Sequence, residues 1–286
     1  QLGQLRDRYF LKHPNIIKII CHDIGRHLGC YGVKSINSNA IDTLAKNGIL
    51  FKNSFATSPG CSPSRAAIAT GMYPHNTGVL GLAHAHFGWS LDKKINHIAK
   101  YFSKNGYTSI LFGLQHVTYH EKTLGFNKIF PERPADQVLR NITKIIDNKI
   151  FKKPFYAEVN FFEPHRPFDY GGIKPDKSKG VYIPKYIPKN IYSRREFAEM
   201  QGAIKKMDNT VFKIINLLKK KNLYENTIIV FTTDHGIPFP RAKGTLYDSG
   251  IETCLIISYP KLNLKNKKVS ELITNIDILP TLLDFA

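Results

Sequence analysis

Cysteine and long apolar runs are both scarce in this sequence of 286 residues. Its four cysteines are too few for a small scaffold held together by disulfides. No apolar run approaches the ~20 residues that a membrane-spanning helix needs, so we expect no membrane span. Hydrophobic residues make up 42% and charged residues 22% of the chain, which argues against wholesale disorder. We find no internal repeat and no linker that divides the chain.

Acidic residues are also few, and the formal net charge is +19, from 41 Lys and Arg against 22 Asp and Glu. Such a charge favours an anionic partner, for example nucleic acid, a sulfated glycan or an acidic membrane. However, Lys, Asn and Ile are abundant together, as in proteins from AT-rich genomes, and the lysines are scattered apart from residues 219–221. We therefore interpret the charge mainly as a compositional bias and expect no nucleic-acid partner.

Both ends of the sequence suggest that it belongs to a longer protein. It begins at Gln1, and residues 1–13 contain no apolar signal segment. Residues 279–286 end inside a predicted helix. We therefore expect a short N-terminal extension over residues 1–13 and further chain after residue 286, and we make no prediction of localisation.

Short apolar runs alternate with amphipathic helical patterns along the chain. The predicted strands are residues 15–21, 49–56, 107–112, 155–161, 227–232 and 253–258. The predicted helices are residues 39–48, with Asn39 as the N-cap, 63–70, 95–106, 138–146 and 197–218. This alternation is typical of an α/β protein with a doubly wound, mostly parallel sheet and helices on both faces.

Histidine or aspartate follows the end of four predicted strands. The four segments are His22-Asp23, Gly113-Leu114-Gln115-His116, Glu163-Pro164-His165 and Asp234-His235. Ligands of open parallel sheets bind outside the carboxyl ends of the strands. We therefore expect these side chains to form a single site at that edge.

Asp23, Asp234 and His235, with His22 as a further candidate, form a plausible metal cluster. Two carboxylates from different strands repel each other unless a cation lies between them. The alternative is that one of these aspartates only caps a helix or turn. Oxygen ligands suit calcium, whereas imidazole ligands favour manganese, iron or zinc, and the sequence leaves this choice open.

The segment from Cys61 to Gly71 has the pattern of a helix with a reactive residue at its start. Ser62 is predicted as the N-cap, Pro63 as the first helical residue and Gly71 as the stop. Cys61 would then lie just before a helix N-terminus, where free backbone N–H groups and the helix dipole favour negative charge. Arg65 in the first turn adds a guanidinium. The alternative is a buried cysteine before an ordinary helix.

These residues resemble the signature of the sulfatase family, which has an alkaline-phosphatase-like fold. Cys61-Ser-Pro-Ser-Arg65 with Thr70-Gly71 is the segment that carries the resemblance. Four further segments match in the same order: Pro14-Asn-Ile with Asp23, Asp234-His-Gly236, Lys243-Gly-Thr-Leu-Tyr247 and Asn275 to Asp284. The resemblance covers about residues 14–286, which we predict to be a catalytic domain whose smaller C-terminal subdomain is missing.

The resemblance implies a particular chemistry. In this family a maturation enzyme oxidises the cysteine to formylglycine, an aldehyde whose hydrate is a geminal diol. One hydroxyl attacks sulfur, and loss of a proton from the other expels sulfate. We therefore expect a sulfuric ester hydrolase acting on a sulfated carbohydrate, with that maturation enzyme as a partner. It would use one divalent metal, calcium in the first instance, with manganese or another transition metal as the alternative.

The resemblance also implies roles for specific residues. The expected metal ligands are His22, Asp23, Asp234 and His235, together with the group made from Cys61. Arg65 would stabilise that group and the sulfate, and Lys243 would neutralise sulfate charge in the transition state. His116 and His165 would contact the diol or the departing group, and one of them would act as the acid.

Three positions depart from the pattern of many sulfatases. His22 replaces an aspartate, His235 replaces an asparagine, and Leu114 replaces a substrate-binding lysine. The histidines also fit relatives that cleave phosphonate esters and phosphodiesters. Loss of the lysine leaves a third alternative, an inactive relative that only binds sulfated glycans.

A subgroup resemblance narrows the expected substrate. Residues 236–240, residues 75–78 with 81–87, and Pro164-His-Arg166 are similar to the N-sulfoglucosamine sulfohydrolase (heparan N-sulfatase) type. This predicts an N-sulfated amino sugar as substrate, with His84 and His86 as candidate lining residues of its pocket.

Overall fold

One mixed sheet organises the computed structural model, which describes residues 13–84, 88–148 and 154–286. His86 therefore lies outside the described residues. Within these ranges eight strands are hydrogen-bonded in the order β4-β3-β5-β1-β6-β7-β2-β8. The strands are β1 Asn15–Cys21, β2 Ile49–Phe55, β3 Thr108–Gly113, β4 Lys128–Phe130, β5 Phe155–Asn160, β6 Thr227–Thr233, β7 Glu252–Ser258 and β8 Lys267–Thr274.

All neighbouring strands in this sheet are parallel except at β7, which is antiparallel to both β6 and β2. The predicted mostly parallel sheet is therefore confirmed. The sequence patterns missed β4 and β8. β4 has only three residues, and β8 is a largely exposed edge strand that gains its backbone partners by parallel pairing with β2.

Helices cover both faces of the sheet, as predicted. The described helices are α1 Asn39–Lys46, α2 Cys61–Thr70, α3 Pro74–Thr77, α4 Ile98–Lys104, α5 Ala135–Asp147, α6 Ile191–Lys220, α7 Asp248–Ile251 and α8 Ile278–Phe285. Ile17 and Ile19 of β1 face the core formed with α1, α5 and α6. Ile16 and Ile20 face the opposite core, to which α4 and α8 contribute. No helix among the described residues is long and apolar enough to cross a bilayer.

The start of α1 is stabilised by a distant side chain and not by Asn39. The helix begins at Asn39 with Ser38 as its N-cap, and Ser38 makes no side-chain cap bond. Instead, the buried carboxylate of Asp208 in α6 accepts hydrogen bonds from the backbone amides of Ala40 and Ile41, at 3.1 and 2.9 Å. The predicted Asn39 cap was wrong because a carboxylate from another helix satisfies these free amides.

Candidate active site

Cys61 lies at the first position of α2, with Gly60 as the extended N-cap. The prediction that Ser62 caps this helix was wrong, because the Ser62 hydroxyl accepts a hydrogen bond from the amide of Ala83, 21 residues away. The hydroxyl of Ser64 donates to the carbonyl oxygen of Asp234 and thereby ties the helix to the end of β6. Cys61 is therefore buried, 3% exposed, against the carboxyl edge of the sheet.

The parallel pairing of β1 with β6 brings the two aspartates together. Cys21 is in register with Thr233, so the chains leave the sheet side by side. The backbone amide of Asp23 donates to Asp234 Oδ1 at 3.1 Å, and the amide of His235 donates to the same oxygen at 3.0 Å. Both carboxylates are fully buried.

Four side chains offer metal-donor atoms within 4.8 Å of one another: His22, Asp23, Cys61 and Asp234. We call these four residues the donor cluster. Neither ring nitrogen of His22 makes a well-aligned hydrogen bond among the described residues, although both are buried. His22 Nδ1 lies 3.1 Å from Asp234 Oδ2, so the ring already faces the carboxylate. Buried polar atoms without a well-aligned hydrogen bond are uncommon, so these nitrogens suit a ligand. The donor cluster therefore fits a single divalent cation in size and chemistry.

His235 lies against the donor cluster and completes its inner wall. Its Nε2 is 3.2 Å from Asp23 Oδ1, 3.3 Å from Cys61 Sγ and 3.6 Å from Asp234 Oδ1. Its Nδ1 lies 2.9 Å from the carbonyl oxygen of Gly236, which fixes the orientation of the ring. Burial lowers the pKa of His235, but Asp234 and Asp23 outweigh it and raise the pKa to about 9.

The backbone at Gly236 excludes any larger residue. A Cβ atom at this position would lie 1.8 Å from the carbonyl oxygen of Ser249. The segment that carries His235 can therefore pack against α7 only with glycine here.

Cys61 is strongly acidic in this environment. Burial opposes ionisation of the thiol, but the imidazoles of His165, His22 and His235 outweigh it and lower the pKa of Cys61 to about 2. The same site keeps Asp234 ionised. Burial raises the pKa of Asp234, whereas His235, Arg65 and His22 hold it well below the usual range.

Arg65 is held in one orientation by three groups. Its Nε donates to Asp234 Oδ2 at 3.0 Å, one terminal nitrogen donates to Asn160 Oδ1 at 3.3 Å, and the other donates to the carbonyl oxygen of Cys21 at 3.3 Å. The side chain is 2% exposed. Since all three partners lie at strand ends, the guanidinium is fixed relative to the sheet.

Lys243 reaches the donor cluster from the loop after β6. Its Nζ is 2.8 Å from Asp23 Oδ2 and 3.1 Å from Asp23 Oδ1, and the side chain is 29% exposed. Burial lowers the pKa of Lys243, but Asp23 and Cys61 raise it above its ordinary value. The ammonium therefore remains charged at the boundary between the cluster and solvent.

The two strand-end histidines lie on the outer side of the cluster. His165 Nε2 is 3.9 Å from Asp23 Oδ2, and its ring packs edge-on against His22 with centroids 5.2 Å apart. The Cys61 side chain raises the pKa of His165, with Asp23 adding to the effect. His116 packs edge-on against His84, and burial lowers the pKa of His116 to about 3.

A cavity of about 410 Å³ extends from these histidines. Its described lining residues are His22, Ala83, His84, Leu114, Gln115, His116, Thr118, Tyr119, Arg133, Phe162 and His165. The structure thus brings the predicted catalytic and metal-ligating residues to one edge of the sheet, with His116 and His165 on the cavity side.

Comparison with known families identifies the chain. The family model described as "Sulfatase" matches residues 14–286. This chain belongs to the sulfatase family. The matched range includes the whole donor cluster, Arg65 and Lys243.

Two relatives resemble this sulfatase along nearly all of its length. Human N-sulphoglucosamine sulphohydrolase is 28% identical, and the match covers 95% of this chain and 60% of the human protein. An ulvan-active sulfatase of Formosa agariphila is 27% identical, and the match covers 95% of this chain and 52% of that protein. The chain therefore spans 52–60% of the length of these relatives.

Solved structures have the same fold as this sulfatase. The crystal structure of Ps i-CgsB is 24% identical, with a TM-score of 0.78, and the match covers 96% of this chain and 72% of that one. The phosphonate monoester hydrolase of Agrobacterium radiobacter is 20% identical, with a TM-score of 0.75, and the match covers 95% of this chain and 73% of that one. At these identities the likeness concerns the fold, and it supports the predicted fold class.

Sequence reasoning missed the residues that orient Arg65 in this sulfatase. Asn160 at the end of β5 accepts from Arg65 and donates to Glu158 Oε1 at 3.2 Å. Glu158 Oε2 lies 3.0 Å from Lys18 Nζ, directly across the β1–β5 pairing. The available signal was a charged residue at the centre of each of two buried apolar strands, since such charges are rarely buried unpaired.

Proposed function

We propose that this chain is the catalytic part of a metal-dependent sulfatase that hydrolyses a sulfate group on a sulfated sugar. Its nucleophile would be a formylglycine made from Cys61. The observation that carries the proposal is that Cys61 Sγ, at the N-terminus of α2, lies within 4.8 Å of the donor atoms of His22, Asp23 and Asp234. A group made from this side chain would face both a cation and a positive helix end.

The donor cluster and His235 would hold one divalent metal ion. Bound there, the ion would polarise a sulfate oxygen and favour the ionised form of a hydroxyl at position 61. Two carboxylates suit calcium, whereas the two imidazoles of His22 and His235 suit manganese or zinc. Metal analysis of the purified protein identifies the ion.

The fixed cations would bind and orient the sulfate. Arg65 is held by Asp234, Asn160 and the Cys21 carbonyl, so its guanidinium needs no reorganisation when charge develops. The Lys243 ammonium is paired with Asp23 at the solvent side of the cluster. It is therefore available to an anion that enters from the cavity.

We assign proton transfer and hydrogen bonding to the histidines on the cavity side, His165 and His116. His235 would take no part in this, because its Nδ1 is held by the Gly236 carbonyl and its Nε2, the one remaining ring nitrogen, would bind the metal ion. His165 is 33% exposed and lies between the cluster and the cavity, so it would protonate the departing oxygen or nitrogen. His116, whose pKa burial lowers to about 3, would be neutral and would accept or donate a hydrogen bond.

An N-sulfated amino sugar is the substrate that we propose. Two observations support it: the 28% identity to human N-sulphoglucosamine sulphohydrolase and the histidine-lined cavity of about 410 Å³ beside the cluster. The 27% identity to an ulvan-active sulfatase supports the wider class of sulfated sugars.

The maturation state of position 61 tests this proposal. Mass spectrometry of the peptide that contains Cys61, taken from protein made in its native host, is expected to detect an aldehyde. Since Cys61 is 3% exposed, the maturation enzyme would act before the chain has folded. An unmodified thiol in all molecules contradicts the proposed mechanism.

A phosphonate or phosphodiester hydrolase is the second candidate. It is favoured by the two imidazoles around the aspartates, His22 and His235, and by the fold shared with a phosphonate monoester hydrolase. Turnover of an aryl sulfate and an aryl phosphonate by the same matured protein separates the two functions. Binding of heparin without turnover of either would favour an inactive glycan-binding relative.

A further inference from the structure

The cavity beside the donor cluster has an unusual distribution of charge. Among the described residues that line it, Arg133 is the one lysine or arginine, and no aspartate or glutamate is present. Arg65 and Lys243 are not among the lining residues, and their charged groups are paired with Asp234 and Asp23. The cavity therefore has a cationic group of its own, separate from the pair at the reacting centre.

The backbone that carries Arg133 is anchored to the site. The carbonyl oxygen of Arg133 accepts a hydrogen bond from the amide of Phe162 at 2.9 Å. Two residues later, the amide of Ala135 donates to Glu163 Oε2 at 3.0 Å. The loop between β4 and α5 is thus fixed against the segment that leads from β5 to His165.

The guanidinium of Arg133 has no acidic partner in the part of the chain that the structure describes. The ion pairs found there, all with N–O distances of 4.0 Å or less, do not include Arg133, and its side chain is exposed. A guanidinium at a cavity mouth can bind a planar or tetrahedral oxyanion through two parallel hydrogen bonds.

We propose that Arg133 is a specificity-determining residue that binds a second anionic group of the substrate, a carboxylate or sulfate on the sugar next to the one that loses its sulfate. This inference rests on the proposed function, because it takes the reacting sulfate to lie at Cys61. A sugar held there would extend past His165 and His116 into the cavity, and its neighbour would lie at the exposed mouth. Leu114 and Phe162 on the walls would contact the uncharged faces of the rings.

Three sulfated probes distinguish the source of the anion. They are an aryl sulfate with one anionic group, a disaccharide of N-sulfoglucosamine and a uronic acid, and the same disaccharide with its carboxyl reduced to an alcohol. In the Arg133→Ala variant we expect KM for the acidic disaccharide to rise roughly 10- to 100-fold, with kcat changed much less. For the reduced disaccharide, Arg133→Ala should raise KM much less. Arg133→Lys should bring KM for the acidic disaccharide part of the way back to the wild-type value.

Arg140→Ala is the matched control, since Arg140 is also exposed and lies on α5, outside the cavity lining. An equal loss on all three probes overturns the proposal, as does no loss on both the acidic disaccharide and its counterpart with a second sulfate in place of the carboxylate. A fourth probe has a second sulfate in place of the carboxylate. If KM differs between the wild type and Arg133→Ala for this probe and not for the acidic disaccharide, the anion that Arg133 binds is a sulfate group.

A binding measurement separates this inference from the proposed function. Calorimetric titration of the Cys61→Ala protein with the acidic disaccharide needs no turnover. A 10-fold or greater loss of affinity on adding Arg133→Ala supports the anion site even if the wild-type protein hydrolyses none of the probes. Equal affinities with and without Arg133, for both the acidic disaccharide and its counterpart with a second sulfate, overturn it whatever the activity of the wild type.

Discussion

Two buried groups of charged side chains, one inside the sheet and one at its edge, share strand β1 and are built in opposite ways. The first is an ion pair inside the sheet, in which Lys18 Nζ lies 3.0 Å from Glu158 Oε2 and both side chains are buried. Tyr156 donates to Glu158 Oε2 and Asn160 donates to Glu158 Oε1, so both carboxylate oxygens have partners. Burial opposes ionisation of Glu158, but Lys18 and His97 lower its pKa to about 2.

The second is the donor cluster at the strand ends, and it is open. Neither nitrogen of His22 has a well-aligned hydrogen bond in the described structure, and Lys243 and His165 connect the cluster to solvent. The ion pair is shut off from solvent on both sides, whereas the donor cluster reaches solvent through partly exposed side chains and can receive a ligand. The ion pair should therefore matter for stability and the cluster for reaction rate.

Replacement of Cys61 should have the largest effect on activity. Cys61→Ala removes the only side chain in the donor cluster that can become a nucleophile, so we expect turnover to fall by roughly 10⁴-fold or more. The free energy of unfolding should change little, because alanine fits at the first position of α2. Activity is measured on an aryl sulfate and stability by urea unfolding.

Cys30→Ala is the matched control for this experiment. Cys30 is half-buried and lies outside the donor cluster, so its removal should leave activity intact. Residual activity of Cys61→Ala near that of the wild type would exclude covalent catalysis at this position.

The ion pair should show the reverse pattern. Lys18→Met leaves the Glu158 carboxylate buried without its cation, and we expect a loss of about 3–5 kcal/mol in the free energy of unfolding. The double variant Lys18→Met with Glu158→Gln should recover much of this loss, because a neutral amide can still accept from Tyr156. Urea unfolding of the three proteins measures both effects.

A loss below about 1 kcal/mol for Lys18→Met would place this pair with exposed ion pairs and would remove the contrast with the donor cluster.

Lys243 is the cation on the solvent side of the donor cluster. Lys243→Ala should lower kcat by roughly 100- to 1000-fold, because the substituted protein lacks a positive charge beside the reacting sulfate. Stability should change little, since the side chain is partly exposed. Metal content, measured by mass spectrometry of the purified protein, should remain that of the wild type.

Lys243→Arg keeps the charge and should retain part of the rate. If Lys243→Ala instead loses its metal, the residue supports the donor cluster and its assigned role in binding sulfate is wrong.

The sequence predicted the site because the site lies where buried strands end. An apolar run followed by His22 and Asp23, and another followed by Asp234 and His235, locate the edge of a parallel sheet without knowledge of its strand order. The start of α2 was predicted less accurately than the strand ends. Ser62 has the residue type of an N-cap, but a distant amide, that of Ala83, occupies its hydroxyl.

Residues whose positions depend on tertiary contacts were harder to predict. Asn160 orients Arg65 only because β5 lies next to β1, and no local pattern specifies that neighbour. Arg133 lies in a short loop whose position depends on backbone bonds to the segment after β5. Tertiary pairing decides both positions, so a single sequence indicates neither.

Asp208 extends the comparison to a buried carboxylate whose partners are backbone amides. Burial raises its pKa to about 6, against an ordinary value of 3.8, although the amides of Ile41 and Ala40 lower it. Between these two pH values the folded protein keeps a proton that the unfolded chain has released. The contribution of Asp208 to stability is therefore fully present below about pH 4 and is lost as the pH rises through 6.

The Asp208→Asn variant lacks the carboxyl group that titrates, but its side-chain amide oxygen can still accept hydrogen bonds from the start of α1. From pH 4 to pH 7 the wild type should therefore lose about 2–3 kcal/mol of unfolding free energy relative to the variant. Urea unfolding at several pH values measures the difference, and the exposed Asp284→Asn serves as the control with the wild-type slope. A constant difference over this range would mean that the α1 amides hold Asp208 ionised throughout. A buried carboxylate would then need no cation to remain charged at the start of a helix in this fold.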